Sequence, residues 1–333
     1  MSSFTETILR WYALYGRDLP WRHSRDPYPV WLSEVILQQT RIAQGTAYWQ
    51  RFLELFPRVE DLAAASEDEV LRLWQGLGYY SRARNLHAAA RQIVAMGGFP
   101  QTLEGIRSLK GVGDYTAAAI GSICFGLNAA VVDGNVYRVL SRHFGLETPV
   151  GTTEAQKQFG QLAARLLPPE DPAAFNQGMM DFGALQCTPQ NPDCLTCPLQ
   201  ASCNAFATGR VALLPVKKAA AKVQERRFTY TYLRCHGCTA IRQRGAGDIW
   251  QGLWEPLVGD PSSPAASQDE TAPVLLRKGV RHQLTHRTLV VDFYLWEPPE
   301  RPALPEGYRW IPETELDAYA KPRLFELLLE AVE

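Results

Sequence analysis

Residues 109–125 read LKGVGDYTAAAIGSICF, and the fold class turns on how this stretch is read. Its second half has no proline and carries apolar residues at three- and four-residue spacings, the pattern of a buried helix. Its first half places Gly111 and Gly113 around Val112, directly after Leu109 and Lys110. Such a corner turns one helix into the next and leaves backbone N–H groups pointing outward at a helix start. The helix dipole and free amides there attract an anion without any basic side chain. An ordinary helix–turn–helix corner uses glycine in the same way, so the stretch alone leaves both readings open.

Outward from this corner the chain reads as further helices. Trp31 to Gln39, Glu67 to Gln75, Ala83 to Met96 and Thr116 to Phe125 carry helical apolar spacing. Gly76-Leu77-Gly78, Gly97-Gly98-Phe99-Pro100 and Pro168-Pro169 separate such segments. Residues 1–207 are therefore expected to form one all-α domain. The stretch ALLPVKKAAAKVQERR is basic and small with no clear apolar face, which makes 208–227 a connector. From Phe228 the texture changes. FTYTYLR and TLVVDFYLW are rich in β-branched and aromatic residues, as strands are, and Lys321 to Val332 reads as a closing helix. GDPSSPAASQDETAP between them reads as a loop. Residues 228–333 are thus expected to be a smaller α+β domain.

Composition limits what the two domains can do. The 333 residues are 46% apolar and 21% charged, as in soluble globular chains. No run approaches the ~18 apolar residues of a membrane helix, so no membrane partner is expected. The opening MSSFTETILRWYALYGR lacks the basic and apolar regions of a secretory leader. Seven cysteines, an odd number, fit a reducing compartment, and a cytoplasmic, nucleoid-associated placement is expected. The formal charge of −1 argues against gripping nucleic acid by bulk electrostatics. Any such binding must rest on local geometry.

Cys187, Cys194, Cys197 and Cys203 are the most specific feature of the chain. Four thiols within so short a loop suit tetrahedral zinc or an iron–sulfur cluster, both of which need converging thiolates. Zinc sites usually show two close cysteine pairs, and here only Cys194 and Cys197 form one, which favours iron–sulfur. Cys124 reads as a packed core thiol. Cys235 and Cys238 read as flanking a strand-end turn at His236-Gly237.

Two carboxylates stand in unusual settings. Glu34 lies in WLSEVIL, and burial there would raise its pKa toward that of a general acid. A solvent-facing Glu on a helix with its apolar side turned inward gives the same pattern. Asp133 follows AAVV and precedes Gly134-Asn135 and a helical run, where a capping Asp is common. A pair with one acid protonated and one ionised is how enzymes cleave glycosidic bonds through an oxocarbenium-like transition state.

Together these residues carry a resemblance. PWR at 20–22, WLSEVILQQT at 31–40, GLGYYSRARNLH at 76–87, LKGVGDYTA at 109–117, VVDGNVYRVL at 131–140, FNQGMMDFGALQC at 175–187 and the cysteine loop occur in order. The chain resembles the MutY family of adenine DNA glycosylases, in the helix–hairpin–helix superfamily that also contains endonuclease III. The resemblance covers nearly all of 4–206. It implies two helical lobes with the active site between them and one 4Fe–4S cluster on the four cysteines. It further implies that Glu34 protonates adenine, that Asp133 stabilises the sugar cation, and that Asn135 and Tyr115 assist. Arg22 and Gln177 would lie near the adenine pocket. Gln39 and Tyr79 would wedge into the duplex beside 8-oxoguanine; Thr40, Leu109, Gly111, Val112 and Gly113 complete the implied DNA contacts. Of Tyr79 and Tyr80, one is expected to be core packing.

Endonuclease III-like members carry a lysine at the position of Tyr115, so the resemblance implies a monofunctional enzyme that uses water. The back half, with DIWQGLWEP at 248–256 and RHQLTH at 281–286, resembles the Nudix-like C-terminal domain of the same family. This implies that Thr285 and His286 inspect 8-oxoguanine, although Leu284 and Thr285 stand where Phe and Ser are usual. No glutamate-rich Nudix box is present, so pyrophosphatase activity is not expected. Lys110 replaces a common proline, and the TPQNPD loop after Cys187 has no basic residue. The implied partner is double-stranded DNA with adenine opposite 8-oxoguanine or guanine, bound by a monomer.

Overall fold

The structure is a computed structural model and describes residues 3–218, 223–259 and 272–333. Most of the 259–273 loop expected from the sequence therefore lies outside the described residues, as does part of the connector. The described chain begins with helices α1 (Ser3–Tyr15), α2 (Pro27–Ile36), α3 (Ile42–Leu55), α4 (Val59–Ala64), α5 (Glu67–Leu73) and α6 (Ser81–Ala95). It continues through α7 (Leu103–Ser108), α8 (Asp114–Phe125), α9 (Gly134–Phe144), α10 (Thr153–Leu166), α11 (Pro172–Leu185) and α12 (Asn204–Ala207). Strands β1 (Gln224–Cys235), β2 (Cys238–Gln243), β3 (Trp254–Glu255), β4 (Leu257–Val258), β5 (Val274–Gln283), β6 (Arg287–Trp296) and β7 (Tyr308–Pro312) follow, then α13 (Arg323–Val332).

Local chemistry explains where the boundaries depart from expectation. Helix α2 starts at Pro27, not Trp31, because Asp26 caps it by accepting from the Tyr28 amide and Pro27 gives up no needed donor at the first turn. It ends at Ile36, and Gln39 has a left-handed backbone with φ of 58°. Ser66 and Glu69 form a reciprocal capping box at the start of α5, which stops at Leu73 and not Gln75. Helix α8 begins at Asp114, immediately after Gly113, where the helical run DYTAAAIGSICF begins in the sequence. Pro322 moves the start of α13 from Lys321 to Arg323.

The chain divides into two compact units, and the division is not linear. Met1–Ala63 and Ala88–Ala219 form the first; Ala64–His87 joins Ala220–Glu333 in the second. Residues 64–87 lie within the stretch expected as the first domain. Their contacts account for the grouping with the second unit: Gln243 Nε2 donates to Asp68 Oδ1 at 3.1 Å, Arg84 Nη1 donates to the Gln251 carbonyl at 2.6 Å, and Gln75 bonds Glu326. The connector is likewise shorter than 208–227. Gln224–Arg227 already belong to β1 and pair in parallel with Arg287–Val290 of β6.

Inside the first unit, Ile8 and Trp11 of α1, Val136 and Leu140 of α9, Phe159 of α10, and Phe175, Met179 and Phe182 of α11 form one core. In the second unit the sheet order is β3-β2-β1-β6-β5, with β4 on β1 and β7 on β2. Leu289, Val291 and Phe293 alternate along β6, which puts them on one face against Leu324, Phe325 and Leu328 of α13. Cys235 and Cys238 face each other across a two-residue hairpin turn at His236 and Gly237, both with positive φ, as the sequence suggested.

Candidate active site

Helix α2 presents Glu34 from the edge of an otherwise buried surface, since Trp31, Leu32, Ser33, Val35 and Ile36 are all buried. The carboxyl opens onto a cavity of about 610 Å³ in the first unit, a volume suited to one small ligand. Burial pushes the Glu34 pKa up to about 7, against the Tyr115 hydrogen bond and the Arg22 charge, which pull it down. The Tyr115 hydroxyl, from the first turn of α8, also lies 3.5 Å from Met180 Sδ. A carboxyl of this kind is half protonated near neutral pH, which suits proton donation.

Asp133 lines the same cavity. It caps α9, accepting from the Val136 amide at 2.8 Å through one oxygen and from Asn135 Nδ2 at 2.8 Å through the other. Burial raises its pKa, and these hydrogen bonds to the charged form oppose the rise. Capping α9 does not withdraw Asp133 from the cavity wall, so the two readings of Asp133 do not compete. Asn135 is itself held: its Oδ1 accepts from Arg138 Nη2 at 2.8 Å, and Arg138 also donates to the carbonyls of Gly183 at 2.6 Å and Cys187 at 2.7 Å. Gly183 is required here, because a Cβ would sit 2.6 Å from that of Asn135.

Arg22 and Gln177 line the cavity as well, and so do Gln39 and Thr40. Behind Arg22 lies a residue that sequence reading missed. Asp181 of α11 is fully buried and takes Arg22 Nη1 at 2.7 Å and Nη2 at 3.0 Å. It also takes the Arg17 amide at 2.8 Å and Arg17 Nε at 2.7 Å. Burial alone would raise the Asp181 carboxyl, yet the two guanidiniums outweigh it and hold it below its usual range. Gln177 Oε1 accepts from the Tyr12 hydroxyl. An acid flanked by Met180 and Phe182 was the available signal, the same one that singled out Glu34.

The glycine corner at 109–113 joins α7 to α8. Gly111 has φ of 76° and Gly113 is the N-cap residue of α8. Gly111, Lys110 and Gly113 are exposed, whereas Leu109 and Val112 are buried and anchor the corner. The Lys110 amide is taken by Gln92 Oε1 at 2.7 Å, and the Val112 amide by the Leu109 carbonyl at 3.1 Å. These bonds set the corner's shape. The hairpin residues do not line the cavity. Asp114, exposed beside them, is neutralised by Arg107 at 2.8 Å.

Cys187, Cys194, Cys197 and Cys203 converge on a second, small and almost wholly apolar cavity. Among the described residues, no group of three or more His, Cys, Asp or Glu stands in metal-holding geometry. The donor set is nevertheless that of a soft metal group. Burial, and then the mutual repulsion of the neighbouring cysteines, pushes the Cys197 thiol up to about 11. Four ionised thiols there need positive charge among them. Arg142 closes the site, donating to Cys187 Sγ at 3.4 Å and the Thr188 carbonyl at 2.7 Å.

In the second unit Tyr79 is 47% exposed with φ of 46°, while Tyr80 is buried, so the two tyrosines divide as expected. The Tyr79 hydroxyl hydrogen-bonds Thr285, at the tip of the β5–β6 hairpin. Thr285 and His286 are exposed there, and Leu284 turns inward to the core.

The model of the HhH-GPD superfamily of base excision DNA repair proteins matches residues 32–165, and that of the NUDIX domain matches 229–331. Adenine DNA glycosylase from Mus musculus is 43% identical over 65% of this chain and 44% of its own length. The chain thus spans less than half of the mammalian relatives it matches. Adenine DNA glycosylase from Buchnera aphidicola subsp. Schizaphis graminum is 34% identical over 75% of this chain and 73% of its own. A solved thermostable thymine-DNA glycosylase superposes with a TM-score of 0.58 at 33% identity, covering 62% of this chain and 95% of that one. An endonuclease III trapped on DNA gives 0.54 at 22% identity, over 62% and 94%, and shares the fold. On the strength of the Buchnera match, which takes in most of both proteins, the chain belongs to the adenine DNA glycosylase family.

Proposed function

We propose that this chain is a monofunctional adenine DNA glycosylase of base excision repair, acting as a monomer on duplex DNA in a reducing, cytoplasmic setting. Its substrate would be adenine opposite 8-oxoguanine or guanine. The observation that carries the reading is the single cavity lined by Glu34, held near pKa 7, and Asp133, held by its cap. Adenine must leave the base stack before cleavage. Glu34 then donates its proton to a ring nitrogen and turns adenine into a competent leaving group. Asp133 faces the positive charge that develops on the sugar, with Asn135 fixing its orientation, and water completes hydrolysis. Tyr115 holds Glu34 by its hydroxyl. Gly111 and Gly113 offer amides to a phosphate, and Tyr79, Thr285 and His286 face the opposite base. The purified chain should release adenine from a duplex with one adenine opposite 8-oxoguanine; a chain that binds this duplex and releases none would overturn the proposal.

Tyr115 carries no amine, so no Schiff base can form at that position. Borohydride added during turnover should trap no more covalent DNA adduct than with a Tyr115→Phe variant. A major trapped adduct in the parent chain would make the enzyme bifunctional.

Cys187, Cys194, Cys197 and Cys203 fit one 4Fe–4S cluster, which supplies a four-thiolate cross-link through the 187–203 loop. Elemental analysis should find about four irons per chain, and Cys203→Ser should lose most of them. Zinc without iron would reassign the site.

A further inference from the structure

We propose that the β5–β6 hairpin carries a second DNA contact, a basic track that holds the phosphodiester backbone next to the Thr285–His286 tip. The inference rests on the DNA-binding reading above and goes beyond it, because none of these residues belongs to the cavity or to the hairpin amides.

The sequence from Thr271 to Val291 contains no acidic residue and carries Arg277, Lys278, Arg281 and Arg287 together with His282 and His286. In a chain of net charge −1 this is a local concentration of positive charge. Strand β5 is the edge of the sheet, so one side of it is open to a partner. Arg277, Lys278 and Arg281 are exposed along it. Among the described residues, Glu225 takes Arg281 at 3.5 Å and Asp292 accepts the Gly279 amide at 2.6 Å. Arg277, Lys278 and Arg287 form no ion pair among the described residues, whereas Arg226, Arg234, Arg242, Arg244 and Arg323 of the same unit do.

The backbone adds a geometric reason. The register of β5 against β6 shifts between Leu275 and Arg277 and again between Arg277 and Val280, around Gly279 at φ of 67°. These bulges break the alternation that would send one of two adjacent side chains inward, and Arg277 and Lys278 are both left exposed. From Arg277 to Thr285 is roughly 26 Å of strand at about 3.3 Å per residue. That length spans several phosphates of one DNA strand, which recur about every 3.4 Å along the helix axis. Charge complementarity therefore selects a phosphodiester backbone. A purely protective role, in which edge cations only prevent strand pairing between copies, is the competing outcome.

The test is the salt dependence of binding by the full chain. Affinity for a 30-base-pair duplex without a lesion, and for the same duplex with adenine opposite 8-oxoguanine, is measured across potassium chloride concentrations. Each lost phosphate contact lowers the slope of log affinity against log salt by about 0.9. Arg277→Gln with Lys278→Gln should therefore flatten the slope by about 1.8 on both duplexes. Binding at 0.1 M salt should weaken by tenfold or more. Lys157→Gln with Arg165→Gln on α10 serves as the control and should change neither. An unchanged slope in the β5 variant, whether or not it self-associates in size exclusion, overturns the track. A parent chain that releases no adenine overturns the functional reading instead, and the slopes on the lesion-free duplex still decide the track.

Discussion

Glu34→Gln should lower single-turnover adenine release by about 10²- to 10⁴-fold, the usual weight of a positioned proton donor. Binding to the same duplex should change little, because the amide keeps the shape of the side chain. The pH profile identifies the role. With a pKa of about 7, Glu34 is protonated below neutrality, so release should be fastest on the acid side and fall as pH rises through about 7. The variant should lose that limb. The same shift has a stability consequence of definite sign. The folded-state pKa is raised above the ordinary value of 4.5, so the contribution of Glu34 to stability is fully present below that value. It is lost as pH rises through about 7, because the charged carboxylate must then sit in a poorly hydrated place. Glu34→Gln should therefore melt at a higher temperature than the parent at pH 8.5, with the gap closing toward pH 5. A parent rate that is flat between pH 5.5 and 8.5, or a variant within threefold of it, would remove Glu34 from the acid role.

How far the site was legible depended on whether a residue's partner lies near it in sequence. Asp133 and its cap share one helix start, and the Gly111–Gly113 corner is local, so both could be read from short windows. Glu34 was legible as an anomaly, a carboxyl among apolar side chains, but its exposure was undecided. Only the approach of α8, which brings Tyr115 to it, settles which way it faces. The four cysteines were plain from spacing. Arg138 and Asp181 were not: Arg138 joins Asn135 to the Cys187 carbonyl across 49 residues, and Asp181 meets Arg22 across 159. No periodicity reports contacts of that range. The fold shows the same limit. Hydrophobic period gave helices and strands to within a few residues. It could not show that 64–87 make contacts with residues more than 160 positions away, as Gln75 does with Glu326 and Arg84 with Gln251.

The largest stability effect is expected at Asp181. The carboxylate is fully buried between Arg17 and Arg22, and removing one partner of a buried ion pair costs about 3–5 kcal/mol. Asp181→Asn should lose stability on this scale in denaturant unfolding, since a neutral amide leaves two guanidiniums facing it without a counter-charge. Arg17, 28% exposed at its side chain, can turn partly to water; Arg22, at 11%, cannot. Arg17→Gln should accordingly cost less than Asp181→Asn. Because the Asp181 pKa is depressed, its contribution is present above the ordinary carboxylate pKa of 3.8 and is lost as pH falls through the lower folded value. Parent and variant should therefore converge only in strong acid. The site responds in a second way. Arg22 Nη1 also donates to the Arg17 carbonyl at 3.0 Å, which keeps the guanidinium beside the cavity after Asp181 is neutralised. Its charge, no longer balanced, then acts more strongly on Glu34 and draws that pKa down. The alkaline fall in adenine release should move below pH 7 in Asp181→Asn. A variant that is destabilised yet keeps the parent pH profile would show that Asp181 supports the fold without tuning the acid.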